Sequence, residues 1–282
     1  MRPRVVVTGL GLVTPLGISA EDTWSGLIAG RSGAGRITRF DPSGLDVTFA
    51  CEVKGFDGQA YIERKEARRY DLFLQYAIAA SQMAMESAGL ASGVPRPDRA
   101  GVLVGSGVGG MQTFEDQARI FIEKGPSRVS PFFVPMFISD IAAGIVAIRF
   151  GLTGPNYCTV SACASSANAV GQAYRLIQDG DADIMLAGGS EAAVTPLTVA
   201  GFAAMKALST RNDDPATASR PFDRDRDGFV IAEGSGVVVL ERLEHAEARG
   251  AAILGEIVGL GMSADAFHIT QPAPDGAGAR QA

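Results

Sequence analysis

Cysteine, histidine and tryptophan are scarce in this sequence, which contains three, two and one of them among its 282 residues. The cysteines, Cys51, Cys158 and Cys163, form no C-x-x-C pair. An odd number without regular spacing argues against a disulfide framework and against a structural zinc site. We therefore expect a protein of a reducing compartment that holds no metal.

Long apolar runs and an excess of basic charge are absent as well. No apolar run approaches membrane-spanning length, and the N-terminus runs into β-prone residues without the longer apolar segment of a signal peptide. The net charge of −6 provides no global basic field for nucleic acid. These absences predict a cytoplasmic protein that binds neither a membrane nor nucleic acid.

The residues that are present suit a globular enzyme, with 46% hydrophobic and 20% charged residues. Strand and helix periods alternate along the chain, which predicts an α/β layered fold with a mostly parallel central sheet. Gly9 and Gly11 are predicted to turn the chain after its first strand. The predicted strands are residues 4–8, 100–105, 183–188, 234–241 and 252–260. The predicted helices are residues 20–29, 65–88, 113–123, 138–150, 164–178, 196–205 and 243–249.

The segment 159–169, TVSACASSANA, changes from strand to helix period around Cys163. This pattern places Cys163 at or just before a helix N-terminus, where unpaired N–H groups and the helix dipole favour a thiolate. The small neighbours Ser161, Ala162 and Ala164 leave room for a substrate. The pattern indicates a nucleophile for covalent acyl transfer, although a buried structural cysteine fits the local pattern about equally well.

Residues 105–110, GSGVGG, match the pattern G-x-G-x-x-G after a predicted strand and before a predicted helix. A dinucleotide-binding oxidoreductase is therefore an alternative hypothesis. It is the weaker one, because such a unit needs an acidic residue on the tip of its next strand. The next segment here, residues 130–135, has no strand pattern.

Several separated segments resemble the β-ketoacyl-acyl-carrier-protein synthases. They are TVSACASSANA, Gly188-Gly-Ser-Glu191, RPFDRDRDGFVIAEGSG (220–236) and DAFHITQPAPDG (265–276). The resemblance implies a thiolase-like layered fold with residues 1–250 as a complete N-terminal half and 251–282 as the start of a C-terminal half. It also implies a homodimer without cofactors, with the strand at 156–160 near the two-fold axis.

The resemblance further implies decarboxylative condensation of an acyl thioester with malonyl-carrier protein, in fatty-acid chain elongation. Cys163 matches the family nucleophile, which carries the growing acyl chain. Positions that would line or gate the acyl pocket, or touch the pantetheine arm, are Val108, Phe133, Phe202 and Thr270. Positions that would dock the acidic acyl carrier protein are Lys65, Arg68, Arg69 and Lys206.

The family's pair of catalytic histidines, in H-G-T and G-H-x-x-G-A motifs, has no match here. His245 is predicted to be a solvated helix residue, and His268 to lie near the pantetheine tunnel. The chain is therefore expected to be a truncated synthase that cannot condense alone, with residues 252–260 left as a strand without neighbours. Open alternatives are a polyketide ketosynthase, or an acyl hydrolase or transferase that uses Cys163 with His268. A non-catalytic family member is disfavoured by the presence of Cys163.

Overall fold

The structure, a computed structural model, describes residues 2–282 and centres on a six-stranded sheet with a separate two-stranded ribbon. The strands are β1 Val5–Val13, β2 Gly35–Arg36, β3 Phe49–Ala50, β4 Ala100–Gly105, β5 Asn156–Tyr157, β6 Ile184–Glu191, β7 Gly234–Arg242 and β8 Gly255–Ile257. The helices are α1 Ala20–Ile28, α2 Arg64–Ala67, α3 Leu72–Ser87, α4 Met111–Lys124, α5 Phe133–Phe137, α6 Ile141–Phe150, α7 Ser165–Gln178, α8 Pro196–Ala204, α9 Leu243–Ala248 and α10 Ala277–Gln281.

The large sheet has the order β5-β4-β6-β7-β1-β8 and is mixed. Only β4 pairs in parallel, with β5 and with β6, whereas β7 runs antiparallel to both β6 and β1. The prediction of a mostly parallel sheet is therefore wrong. Since Glu191 pairs with Gly234, the polar segment between β6 and β7 returns to the end of the sheet that it left. Such a return gives an antiparallel pair, whereas a crossover is needed for a parallel one.

Helices cover both faces of this sheet and divide the core into two layers. On one face, α3 and α6 bury a cluster that includes Phe73, Leu74 and Val146. On the other face, α7 buries Ala169, Ala173 and related side chains against the sheet. The predicted α/β layered arrangement is thus present, and α7 reaches the sheet end with its N-terminus.

Strand β1 continues through the two glycines that were predicted to turn the chain. A Cβ atom on Gly9 would collide with the carbonyl oxygen of Ala84, and one on Gly11 with that of Ala80. The glycines therefore serve the close approach of α3 to the strand, and the predicted turn is wrong.

The predicted helix at 65–88 is in fact two helices, α2 and α3, separated at residues 68–71. Asp71 caps the second helix, because its carboxylate accepts the Phe73 N–H at 3.4 Å. Its other oxygen accepts the Thr113 N–H of α4 at 2.9 Å. The predicted helix at 138–150 likewise begins later, at Ile141, after the separate helix α5. Helix α1 is confirmed, with Ser19 as its N-cap.

The region predicted as a strand at 252–260 forms only the short strand β8, which pairs antiparallel with β1. The expectation of a strand without neighbours is therefore wrong, since β8 has a neighbour on the β1 side. Apolar residues around β8 are exposed nevertheless, and Val258 is 87% exposed. Residues 2–282 include no helix long and apolar enough to cross a membrane.

Candidate active site

Four strand ends meet at one end of the sheet and surround a cleft of about 490 Å³. Strands β4 and β6 finish there with their carboxyl ends, β1 finishes there, and β7 begins there. Ligands of α/β sheets bind at such strand ends. The cleft is lined by Leu12, Val13, Thr14, Pro15, Gly105, Ser106, Gly107, Ala162, Cys163, Ser165, Ser166, Gly189, Ser190, Glu191, Ala232, Glu233, Gly234, Ser235 and Gly236.

Cys163 lies in this cleft on a short 3₁₀ turn that leads directly into α7. Of the three cysteines, all within residues 2–282, Cys163 alone is exposed. Burial raises the pKa of Cys51 and that of Cys158, which keeps both as thiols. The sequence-based placement of Cys163 at a helix start is confirmed, and the alternative of a buried structural cysteine is wrong.

The turn that carries Cys163 is held in an unusual conformation. Ala162 has a φ of 50°, which a residue with a side chain rarely adopts and which costs about 1–3 kcal/mol. Ser165 stabilises the turn, since its hydroxyl accepts the Ser161 N–H at 2.9 Å and donates to the Ala162 carbonyl at 2.7 Å. The Thr159 hydroxyl donates to the Ser165 carbonyl at 2.7 Å. These bonds project the thiol into the cleft.

Glycines in β4 and β6 allow the start of α7 to sit directly on the strand ends. A Cβ atom on Gly105 would lie 2.5 Å from the carbonyl carbon of Ser165, and one on Gly189 would meet the Ser166 side chain. Bulkier residues at these positions would displace the nucleophile turn.

Two carboxylates support the cleft, the half-buried Glu191 and the buried Glu233, and sequence patterns alone assign no role to either. Glu191 accepts the Ser106 hydroxyl at 2.9 Å and the Gly107 N–H at 2.6 Å. Glu233 forms an ion pair with Arg39 and accepts the Val194 N–H at 3.4 Å. Glu191 is the last residue of β6 and Glu233 directly precedes β7, both at the cleft end of the sheet. A carboxylate at the end of a predicted strand is the sequence pattern that could have identified them.

The contacts of Glu191 also decide against a dinucleotide site in the loop 105–110. A diphosphate would need the free N–H groups of that loop. The Gly107 N–H instead donates to the Glu191 carboxylate, which would repel an anion. The oxidoreductase hypothesis is therefore wrong.

The four residues predicted for the acyl pocket are dispersed around the cleft, and none of them lines it. Val108 follows Gly107 directly and is 40% exposed. Phe133 packs against Phe114 and Phe137, with ring centroids 6.5 and 5.7 Å away. Phe202 in α8 packs edge-to-face on Phe229, and Thr270 is exposed. Their pocket roles stay predictions.

Three of the four predicted docking residues come together on the surface. Lys65, Arg68 and Arg69 line one depression of about 550 Å³ together with Arg64. The Arg69 guanidinium also lies 4.7 Å from the centroid of the Phe132 ring. Lys206 lies outside this depression, two residues after the end of α8, with a φ of 55°.

Neither histidine lines the cleft around Cys163. His245 is not the solvated residue that was predicted, because its Nδ1 lies 2.7 Å from an oxygen of the buried Glu241. The Nδ1 of His268 accepts the N–H groups of Thr270 and Gln271 at 3.1 and 3.2 Å, within its own loop. This geometry gives no support to a hydrolase that pairs Cys163 with His268.

Comparisons with known proteins point in one direction. A family model described as the N-terminal domain of beta-ketoacyl synthase matches residues 2–246. The 3-oxoacyl-[acyl-carrier-protein] synthase 2 of Synechocystis sp. is 55% identical over 281 residues, which cover 100% of this chain and 68% of that protein.

Solved structures agree with this family match. A beta-ketoacyl synthase from Burkholderia phymatum has a TM-score of 0.88 at 38% identity, over 97% of this chain and 67% of the other. A type II polyketide ketosynthase, solved in complex with its acyl-carrier protein, has a TM-score of 0.88 at 34% identity, over 100% of this chain and 68% of the other. These likenesses confirm the thiolase-like layered fold. The chain spans about two thirds of the length of these proteins.

Proposed function

Because the chain belongs to the β-ketoacyl synthase family, we propose that it serves fatty-acid chain elongation, with Cys163 as the residue that carries the acyl chain. The observation that supports this role is the exposed Cys163 thiol on a constrained turn inside the cleft. The sequence identity is 55% to a 3-oxoacyl-[acyl-carrier-protein] synthase and 34% to the type II polyketide ketosynthase described above. This difference favours fatty-acid elongation over polyketide synthesis.

In the first step, the Cys163 thiolate attacks the carbonyl carbon of an acyl thioester on the carrier protein. A new C–S bond to Cys163 forms, and the carrier's pantetheine thiolate leaves and takes up a proton. Cysteine suits both the formation and the later cleavage of the thioester, because its thiolate is a strong nucleophile near neutral pH and a good leaving group. We assign the backbone N–H of Cys163 to the oxyanion that develops on the carbonyl oxygen.

In the second step, a malonyl thioester loses CO₂, and the resulting carbanion equivalent attacks the acyl-Cys163 carbonyl. The bond to sulfur breaks, and the product leaves two carbons longer. In the family, two histidines polarise the malonyl thioester during this step. The two histidines of this sequence are held elsewhere, so the residues described here account for acylation and not for decarboxylation.

The depression lined by Arg64, Lys65, Arg68 and Arg69 is the proposed dock for the acidic carrier protein, with Lys206 as a further contact. Positive side chains on a chain with a net charge of −6 form a local feature that an acidic partner can recognise. A similar ketosynthase has been solved together with its acyl-carrier protein, which supports this partner.

We propose the remaining roles on the resemblance alone. Val108, Phe133 and Phe202 would line or gate the acyl pocket, and Thr270 would touch the pantetheine arm. Residues 1–250 would form the N-terminal half-domain and residues 251–282 the beginning of the C-terminal half, and the family match ends nearby, at residue 246. Two copies would associate along the edge strand β5, which has a neighbour only on the β4 side among residues 2–282.

The test is mass spectrometry of the purified chain after incubation with acyl carrier protein that bears a long acyl chain as a thioester. We expect one acyl adduct, located on Cys163 by peptide mapping, and no adduct in Cys163→Ala. Cys158→Ala is the matched control and should be acylated like the wild type, since Cys158 is half-buried. A folded protein that gains no adduct, or gains it on Cys51 or Cys158, would refute the proposed function.

A further inference from the structure

One side chain holds the glycine-rich loop 105–110 beside the nucleophile. The two carboxylate oxygens of Glu191 are used separately, one for the Ser106 hydroxyl and the other for the Gly107 N–H. The Ser106 hydroxyl oxygen in turn accepts the Gly109 N–H at 3.0 Å. Two direct contacts and one contact through Ser106 thus connect the Glu191 carboxylate to the loop.

The strand register explains how Glu191 reaches this loop. Gly105, the last residue of β4, pairs with Gly189 in the parallel strand β6. Glu191 is two residues further along and on the same side of the sheet as Gly189, so it reaches past the end of β4 where the loop begins. Burial raises the pKa of Glu191, and the hydrogen bonds from the loop oppose this shift. A half-buried carboxylate, whose partial desolvation is costly, is therefore placed in the wall of the reactive cleft.

The loop lies close to both Glu191 and the nucleophile turn. A Cβ atom on Gly107 would lie 3.0 Å from a Glu191 oxygen and 3.8 Å from the Ala162 carbonyl oxygen. Ala162 is the residue with the left-handed backbone, directly before Cys163. Such a conformation persists only when its surroundings hold it, and the loop is one of those surroundings.

We propose that Glu191 is a positioning residue: its carboxylate fixes the loop 105–110 beside the Cys163 turn and so sets the acylation rate. This inference rests on the proposed function of Cys163, and it adds a residue that does not touch the reacting atoms.

The experiment compares the wild type with Glu191→Gln and with the matched control Glu115→Gln. Glu115 is a buried carboxylate that likewise accepts a backbone N–H, that of Leu197 at 3.0 Å, but it lies outside the cleft lining. Single-turnover acylation by an acyl-pantetheine donor is followed by mass spectrometry, and thermal unfolding is recorded for each variant.

We expect the maximal acylation rate of Glu191→Gln to fall on the order of tenfold or more, because small displacements of reacting groups have effects of this size. The donor concentration for half-maximal rate should stay close to that of the wild type. Glu115→Gln should keep the wild-type rate. Wild-type behaviour of Glu191→Gln, or equal slowing of both variants, would overturn the inference.

A second measurement separates this inference from the proposed function. Iodoacetamide alkylation of Cys163 is timed by peptide mapping, with Cys158 of the same molecule as reference. We expect a change of several-fold for Cys163 in Glu191→Gln and none in Glu115→Gln, whether or not acyl donors react. If the wild type alkylates but never acylates, the proposed function fails alone. If Cys163 alkylation is the same in both variants and the wild type, the role of Glu191 fails alone.

Discussion

Glu241 shows how a charged residue can be buried at low cost. Its side chain is fully buried at the end of β7, where it accepts hydrogen bonds from Thr8, His245 and Arg249. Burial opposes ionisation, but the bonds from these three neighbours outweigh it and hold the pKa of Glu241 below its ordinary value of 4.5. Folding therefore favours the ionised form of this carboxyl group.

The lowered pKa predicts a specific loss of stability in acid. The contribution of Glu241 is fully present above pH 4.5, the unfolded value, and is lost as the pH falls through the lower folded pKa. We expect urea unfolding, followed by circular dichroism, to show a steeper decline below pH 4.5 in the wild type than in Glu241→Gln. At neutral pH this variant should be less stable by about 3 kcal/mol. Parallel pH profiles of the two proteins would contradict the assignment.

The roles of single residues differed in how well the sequence predicted them. Cys163 was readable because its signal is local: small residues around a change from strand to helix period. Glu191 was not, since its partners Ser106 and Gly107 precede it by 85 and 84 residues and meet it only through the β4–β6 register. His245 was misread for a different reason: its partner Glu241 is only four residues away, but the burial of Glu241 depends on the tertiary fold.

At the level of elements, the packing of α3 on β1 requires two glycines in the strand. Replacing Gly11 by Ala would place a Cβ atom against the backbone of Ala80 and Ala84. We expect this change to lower the free energy of unfolding by about 1–3 kcal/mol, as overpacked cores do. Urea titration measures the change.

The matched control is Gly255→Ala, in strand β8, where a Cβ atom would meet nothing within 4 Å. It should leave stability unchanged or raise it slightly, because alanine restricts the unfolded chain more than glycine does. Equal destabilisation by the two changes would show that strand glycines matter here for another reason.

Element types were largely predictable, and element ends and breaks were less so. The helices predicted to begin at residues 20 and 196 do begin there, and each has a local start signal, the N-cap Ser19 and Pro196 at the first helical position. The break between α2 and α3 has a local signal as well, the N-cap Asp71, but its second contact, with Thr113 in α4, is one that no local pattern shows. Gly9 and Gly11 were misread because a glycine needed for close packing looks like a glycine needed for a turn.

At the level of the whole molecule, the charge distribution predicts how the carrier protein is recognised. Arg68→Glu reverses one charge in the basic depression. We expect the acyl-carrier concentration for half-maximal acylation to rise about tenfold, which corresponds to about 1.4 kcal/mol. The effect should shrink at high salt, because exposed charges are screened.

Acyl-pantetheine donors should react equally well with Arg68→Glu and the wild type, since they do not need the depression. Arg96→Glu is the control for charge alone: Arg96 pairs with Asp98 just before the start of β4, away from the cleft. A similar rise for Arg96→Glu, or slower reaction with acyl-pantetheine, would contradict docking at the depression.

The sheet topology was the part of the fold that the sequence concealed most. Parallel and antiparallel neighbours have the same residue period, so strand direction depends on the path of the connections. The connection between β6 and β7 contains the helix α8 and then a long polar segment, and neither shows from the sequence whether the chain crosses the sheet. Its return to the same end is visible only in the pairing of Glu191 with Gly234.

The cleft is lined by five chain segments that extend from Leu12 to Gly236. Contacts between such distant segments form late and slowly when a chain folds from its denatured state. The Cys163 turn, by contrast, is closed by the nearby Ser165 and can form early. During refolding, the rate of Cys163 alkylation should therefore change before acylation activity appears. The delay between the two measures how long the distant strands take to assemble after the turn has formed.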